Sequence, residues 1–592
     1  MDGMRDSIQR FKQLCEISHK AKPGHIAVVS IHALISAMLT VVWSTFPAGI
    51  ARQLEEQNGT GLIAMTCGLV LFNVIALLLQ AFLDQKIKMG NRVIKNEMNR
   101  MIDAKILSIS FVQTENPKIL DLKEQAIWTF ENYGGITYLI QHLVLALSAL
   151  ISIVIYLVML SSMPAAIVVI IFYSLIALLA GKKKRIEGVQ YWEETSRLNR
   201  WFLYLTWQIA HNYHVGKEIR LYNGSSMVLN RMEEMRESWK KTEENYASST
   251  GRCNGLIEGA GLVIVILAIL WLGGPGKTSL SLSLVILCVT VLFEMPSLLS
   301  RLVLHATETF QLCDFGQHFL DFIDLPNDQK VHEKVSAEMD YIEIKHASFR
   351  YPEEEKEAIQ DVSFRINKGE KIAIVGRNGA GKSTLIKMLC GLYHTREGEI
   401  NFVMENGQCI SPEDYIGKSG VVFQDFKILP VSLKENILMG RNENKERLEE
   451  LIAFSKLKDI VTGLARGSDT VLSKAIDAEG TDLSGGENQE VAIARAKYGN
   501  TGLLILDEPN SALDVYAEEQ LYLDVARSSQ KDTVIFVSHR LSACKFCDRI
   551  IVMKDGKVIE EGSHAILMRQ QGEYYELYQA QAELYQNKLG CR

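Results

Sequence analysis

Hydrophobic positions are unevenly distributed along the chain. In the first half they gather into six apolar stretches, at about Ile26–Phe46, Leu62–Leu83, Tyr138–Met159, Ala165–Leu179, Leu256–Leu272 and Leu280–Val303. Each is near the ~20 residues that a helix needs to cross a bilayer. Six such runs within the first half do not suit a soluble helical domain, so six membrane spans are expected. Short connections join the first stretch to the second, the third to the fourth and the fifth to the sixth. They hold few cations: Arg52 in one, Lys277 in another, none at Ser161–Pro164. The long connections, about 84–137 and 180–254, are rich in them, as at Lys86, Lys88, Arg92, Lys95 and Arg100, and again at Lys182–Arg185. Basic loops stay on the cytoplasmic side, which places the long loops and both termini there, at the cell membrane. The long loops extend the membrane helices, and their pattern breaks at Thr114-Glu115-Asn116-Pro117 and Leu221-Tyr222-Asn223-Gly224.

Residues 1–24 are polar and basic, with Met4, Ile8, Phe11 and Cys15 spaced for one face of an amphipathic helix lying at the membrane surface. No signal peptide is expected. Four ionisable residues fall within the spans, His32, His142, Glu258 and Glu294, where charge is costly and marks function or pairing. Either they pair with each other or lie near headgroups, or they line a polar cavity that prefers a cationic or peptide substrate. Glu294 precedes Pro296, which can kink the sixth span, and Glu258 lies among Gly255, Gly259 and Gly261, which permit close helix packing.

After a polar linker at 322–339 the pattern changes to short alternating or buried runs. Tyr341–Lys345, Ile359–Ile366, Lys371–Val375 and Leu503–Pro509 are predicted strands, and Leu385–Leu389 opens a helix. The domain boundaries expected are 1–24, 25–321, 322–339 and 340–592.

Composition changes this picture little. The 592 residues are 47% hydrophobic with a net charge of −7, which does not suit a nucleic-acid binder. Ten cysteines are scattered, several in apolar runs, as reduced buried thiols would be. Cys544 and Cys547 have C-x-x-C spacing but no second pair, so a redox or metal role is not expected.

Candidate chemistry centres on Gly376-Arg377-Asn378-Gly379-Ala380-Gly381-Lys382-Ser383-Thr384, which fits G-x-x-x-x-G-K-[ST] between a strand and a helix. Glycines let backbone N–H groups approach a polyphosphate, Lys382 adds charge, and Ser383 offers a hydroxyl to Mg²⁺. Asp507 and Glu508 end a buried strand, placing one carboxylate for a Mg²⁺ shell and the next for polarising water. Leu483-Ser484-Gly485-Gly486-Glu487 completes the set.

Together these motifs resemble an ABC ATPase, and the whole chain resembles an ABC exporter half-transporter of the bacterial peptide and multidrug type. The implied fold is an all-α six-helix transmembrane domain followed by an α/β P-loop ABC ATPase domain. The resemblance implies ATP and Mg²⁺ as cofactors, with Tyr351 stacking on adenine and Gln424 reaching Mg²⁺. Ser484, Gly485 and Gly486 would bind the γ-phosphate of ATP held by the opposite subunit. Glu508 would be the general base, Asp514 would bridge the two sites, and His539 would contact the γ-phosphate. The loop tips would be short helices that touch the ATPase and transmit its motion. A dimer of identical chains is the simplest assembly, and a second half-transporter as partner fits the same motifs. Two departures stand out: Glu487-Asn488-Gln489 replaces the common Gln-Arg-Gln, and Ala478–Asp482 lacks the fuller pattern before the signature. Glu487 puts a charge near nucleotide, and the second departure puts coupling in doubt. The function implied is ATP-driven export of a peptide or amphipathic small molecule across a lipid bilayer, with import of a metal chelate or an ATP-gated channel as alternatives. Lys217–Tyr222 adds a short likeness to bacteriocin exporters. No protease domain precedes the first span, so cleavage of a leader peptide is not expected.

Overall fold

The computed structural model describes all residues except 1, 132–137, 162–163, 211–212, 273–280, 329–337, 353, 455, 500–501, 509–531, 539–540, 542 and 590–592. Its contacts divide into two compact units, residues 1–109 with 114–327, and residues 110–113 with 328–592.

The first unit is helical: α1 Asp2–Ala21, α2 His25–Glu55, α3 Gly59–Ser108, α4 Phe111–Glu115, α5 Pro117–Glu131, α6 Leu139–Met159, α7 Pro164–Leu203, α8 Tyr213–Leu221, α9 Ser225–Leu272 and α10 Leu282–Ile323, with α4 divided between the units. Each of the six apolar stretches falls on one of the long helices α2, α3, α6, α7, α9 and α10. Among the described residues, α2, α3, α6 and α10 are long and apolar enough to cross a membrane. Their polarity is inverted relative to a soluble bundle. Leu71 and Leu78 on α3 are 62% and 68% exposed, while small residues such as Ala33, Ala37 and Ala76 are buried. That arrangement suits a lipid environment, where close helix approach rather than apolar burial holds helices together. Gly261 shows such an approach, since a Cβ there would lie 2.6 Å from Pro296 Cβ, whereas Gly255 and Gly259 face open space.

The long connections are helical extensions, and their breaks are where proline and asparagine place them. Pro117 opens α5, where its missing N–H costs nothing. Asn223 takes a left-handed φ of 52°, and Gly224 N–H closes the end of α8 on Ile219 O at 2.7 Å. A π-helical stretch at Tyr204–Ala210, which the sequence pattern did not predict, interrupts the second extension.

The N-terminal helix is amphipathic, but its apolar side packs inside the unit. Leu14 is fully buried in a cluster with Ile94, Met98, Cys313 and Phe319, with Phe11 and Ile17 beside it, while Ile8 is 61% exposed. Asp314 on α10 anchors it further, accepting from Arg185 at 2.7 Å and Arg10 at 3.5 Å. Of the expected face, Phe11 and Cys15 pack inward and Ile8 does not, because Leu14 is the residue that meets Ile94 and Met98 of α3 and Cys313 and Phe319 of α10.

The second unit contains two sheets: β1 Met339–Phe349, β2 Ile359–Asn367, β3 Lys371–Val375, β4 Glu397–Met404, β5 Cys409–Ile410, β6 Ser419–Val422, β7 Leu503–Asp507, β8 Thr533–Val537, β9 Arg549–Lys554 and β10 Lys557–Gly562. An antiparallel sheet has the order β2-β1-β4-β5, and a second sheet the order β10-β9-β3-β8-β7-β6. In the latter, β9, β3, β8, β7 and β6 are parallel. Strands β3, β7 and β8 are buried almost throughout, so they appear in sequence as continuous apolar runs rather than alternations. Chain crossovers on this sheet bring the C-terminal ends of β3 and β7 to the same edge, one strand apart.

Nine cysteines are free thiols, and no disulfide occurs among the described residues. Cys67 and Cys409 are exposed, Cys15 is half-buried and the others are buried. Cys544 and Cys547 are among the buried ones, and burial pushes the Cys547 thiol up to about 12, so Cys547 has little thiolate to offer.

Candidate functional site

The phosphate-loop motif leaves β3 and enters α11, Lys382–Leu389. Two glycines there are required by geometry. A Cβ at Gly376 would collide with the Met553 carbonyl, and Gly381 has a left-handed φ of 98° with Ala358 O only 2.7 Å from where a Cβ would stand. The loop therefore wraps tightly against the β9–β10 turn, where Gly556 N–H donates to Ala380 O at 3.1 Å.

Lys382 is 5% exposed and its ammonium donates to two loop carbonyls, Gly376 O at 3.0 Å and Arg377 O at 3.3 Å. Burial lowers its pKa, while the carboxylates of Glu508 and Asp507 raise it. Ser383 Oγ faces Asp507 Oδ1 at 3.5 Å, and Asp507 is 3% exposed. That spacing is longer than a strong O–H···O bond, and it leaves a serine hydroxyl and a carboxylate set for a shared third partner. Such an oxygen pair beside a buried lysine and a glycine-built loop fits Mg²⁺ with a polyphosphate.

A cavity of about 320 Å³ opens over the loop, lined by Tyr351, Gly379, Ala380, Gly381, Lys382, Ser383 and Thr384. The Tyr351 ring is fixed by its hydroxyl at 2.9 Å from Thr384 Oγ1 and by edge contacts to Phe349 and Tyr393. Lys356, Ala358, Asp555 and Gly556 also line this cavity, and sequence reasoning missed them. The Asp555-Gly556 dipeptide signals a turn, but nothing local in sequence brings that turn to a loop about 175 residues earlier. Arg377 points elsewhere, to Glu573 at 2.9 Å on the C-terminal helix Glu573–Leu589. Asn378 belongs to the loop without lining the cavity.

Glu508 follows β7 with a φ of 45°, left-handed for a non-glycine residue, and its N–H donates to Val537 O at 2.9 Å. Backbone strain of this kind costs about 1–3 kcal/mol and is concentrated where a side chain must be aimed. Gln424 lies in the turn just beyond β6, whose Val422 pairs with Leu506, so it stands at the same sheet edge as Asp507. Asp514 and His539 lie outside the described residues.

Ser484, Gly485 and Gly486 sit at the start of the helix Gly485–Gly499 and do not line the phosphate-loop cavity. Here Glu487 has a structural explanation. Ser484 N–H donates to Glu487 Oε2 at 2.7 Å and Glu487 N–H donates to Ser484 Oγ at 3.4 Å, a reciprocal capping box. The S-x-x-E spacing carried that signal.

The loop-tip segment Ser110–Gln113 clusters with the second unit. Phe111 lies 5.9 Å, centroid to centroid, from Tyr393 and under the Lys387 ammonium of α11. Tyr393 stacks on Phe349 at 4.7 Å, and both touch Tyr351. A continuous aromatic series thus runs from Phe111 to the cavity wall.

In the first unit, a cavity of about 450 Å³ is lined by Thr40, Trp43, Ser44, Thr290, Phe293, Glu294 and Arg301. Glu294 therefore lines a cavity, joined by Arg301, a cation the sequence reading had passed over. His32 pairs with Asp84 at 3.2 Å, His142 with Glu308 at 2.7 Å, and Glu258 is exposed.

Residues 359–511 match the ABC transporter family. The chain is 31% identical over 376 residues to the subtilin transport ATP-binding protein SpaT of Bacillus subtilis, covering 62% of this chain and 60% of that protein. It is 33% identical over 366 residues to the leukotoxin translocation ATP-binding protein LktB of Mannheimia haemolytica, covering 59% and 50%. The chain thus spans 50–60% of these relatives' length. A solved structure of a bacterial Atm1-family ABC exporter with ATP bound superposes with a TM-score of 0.76 at 21% identity, covering 95% of this chain and 99% of that one.

Proposed function

We propose, for a chain whose residues 359–511 belong to the ABC transporter family and whose fold is that of an ABC exporter, that it hydrolyses ATP to drive export of a peptide or amphipathic small molecule. The observation carrying this reading is the convergence of Lys382, Ser383, Asp507 and Glu508 at one edge of the parallel sheet, beside a cavity walled by Tyr351. Mg²⁺-bound ATP supplies the phosphoanhydride bond whose cleavage drives the cycle. Lys382 and the loop N–H groups would hold phosphate oxygens, Ser383, Asp507 and Gln424 would hold the ion, and the Tyr351 ring would pack on the base. Glu508 accepts a proton from the attacking water, its backbone aiming the carboxylate.

Ser484–Gly486 do not line the cavity, which supports a composite site in which a second copy supplies them. Hydrolysis would then separate two copies, and the segment at Phe111 would carry that motion towards the membrane helices. The cavity at Glu294 and Arg301 is the candidate cargo site, and its opposite charges beside Trp43 and Phe293 suit a cargo with polar as well as apolar parts. Relatives named for subtilin transport and leukotoxin translocation support export.

ATPase activity of the protein reconstituted in lipid tests the reading. Glu508→Gln is expected to lower turnover by about 10²–10⁴-fold while nucleotide binding persists. Turnover unchanged in that variant would overturn the assignment of Glu508.

A further inference from the structure

His142 on α6 and His305 and Glu308 on α10 converge in the first unit. The Nδ1 atoms of the two histidines are 3.0 Å apart. Glu308 Oε2 is 2.7 Å from His142 Nδ1 and 3.6 Å from His305 Nδ1. A circle through three atoms with these separations has a radius of about 1.8 Å, less than the ~2.0–2.1 Å of a zinc–ligand bond, so one point above their plane lies at bonding distance from all three. Each side chain is more than two-thirds buried, which limits competition from water.

The arrangement differs from an ordinary ion pair. A single carboxylate facing one cation needs no second imidazole with its nitrogen turned to the same point. His142 Nδ1, His305 Nδ1 and Glu308 Oε2 lie within 3.6 Å of one another, and two imidazoles with one carboxylate so gathered are a donor set that a metal uses. The i, i+3 spacing of His305 and Glu308 places both on one face of α10, and His142 completes the set from the neighbouring helix. Lys184 on α7 lies near enough to Glu308 to interact with its charge, and it is the cation a bound ion must compete with.

We propose that His142, His305 and Glu308 bind a divalent transition-metal ion of the zinc class. Two imidazoles and one carboxylate suit borderline ions; calcium and magnesium take mostly oxygen ligands, and copper(I) prefers thiolates. Three protein ligands leave a fourth position open to water or to a donor atom of the cargo. Bound there, the ion ties α6 to α10. The inference stands on this geometry alone and does not depend on the ATPase reading.

The test uses full-length, metal-free protein in lipid nanodiscs, with Zn²⁺ titrated against a chromogenic chelator and Co²⁺ binding followed by its visible absorption. The expected result is one ion per chain in the wild type, with Co²⁺ bands of nitrogen and oxygen ligation and no thiolate charge-transfer band. His142→Gln, His305→Asn and Glu308→Gln are each expected to weaken binding by about tenfold or more. Melting temperatures of the metal-free variants show whether each is folded, and the wild-type Co²⁺ spectrum needs no variant. No stoichiometric binding by the wild type would mean an ion pair only and would overturn the proposal. So would a thiolate spectrum, or affinity unchanged in folded variants.

Discussion

At the residue scale, four positions show how local chemistry sets the site. Gly376 and Gly381 are where backbone from other strands leaves no room for a Cβ, so the loop can lie flat enough to present its N–H groups. Glu508 is held in a left-handed conformation immediately after β7. Glu487, an apparent departure from the signature, closes a capping box with Ser484, a role that glutamine's side-chain oxygen can also fill. Glu487→Ala is therefore expected to destabilise the second unit by about 0.5–2 kcal/mol, and Glu487→Gln by much less, as measured by thermal melting. The hydrogen bonds from Ser484 hold the Glu487 carboxyl below its usual range. Its folded-state pKa is thus depressed, so its contribution is present at neutral pH and above its ordinary pKa. The difference between wild type and Glu487→Ala should shrink as pH falls through that depressed value.

At the element scale, a short helix, α4, carries the interaction most open to test. Phe111 contacts Tyr393 and Lys387, and Lys387 belongs to the helix that begins with Lys382 of the glycine-rich loop. Lys387 also donates to Tyr393 Oη at 3.2 Å. An aromatic pair of this kind contributes about 0.5–1.5 kcal/mol. Phe111→Ala should leave basal ATP hydrolysis near wild type while abolishing its stimulation by cargo. Loss of basal hydrolysis to the same degree would mean that Phe111 supports the fold of the ATPase unit instead. The N-terminal helix teaches a related lesson. Its hydrophobic spacing announced an amphipathic helix, yet which residues faced inward depended on α3 and α10 arriving beside Leu14.

At the scale of the whole molecule, the proposed composite site makes a complementation prediction. Chains carrying Lys382→Ala are expected to be inactive, as are chains carrying a bulky substitution at Gly485. Co-purified mixed pairs should regain up to about half of wild-type ATPase activity, because one of the two shared sites then has both an intact phosphate loop and an intact signature loop. If each chain holds a complete site of its own, mixed pairs will be as inactive as either parent.

The sequence alone determined the division into an apolar helical half and an α/β half, the strands β3 and β7, and the identity of the phosphate loop. These features are legible because each depends on neighbours in the chain: run length, periodicity, glycine spacing and a lysine at a set offset. The turn Asp555-Gly556 behind the loop, the pairing of His142 with His305 and Glu308, and Arg301 in the cavity with Glu294 were decided by tertiary structure. The turn and the histidine–glutamate cluster join residues from different helices or strands, and the cavity at Glu294 and Arg301 on α10 is closed by Thr40, Trp43 and Ser44 of α2, and no local pattern records which elements will pack side by side. Charged residues far apart in the chain become a site only when helix packing sets the distance between them.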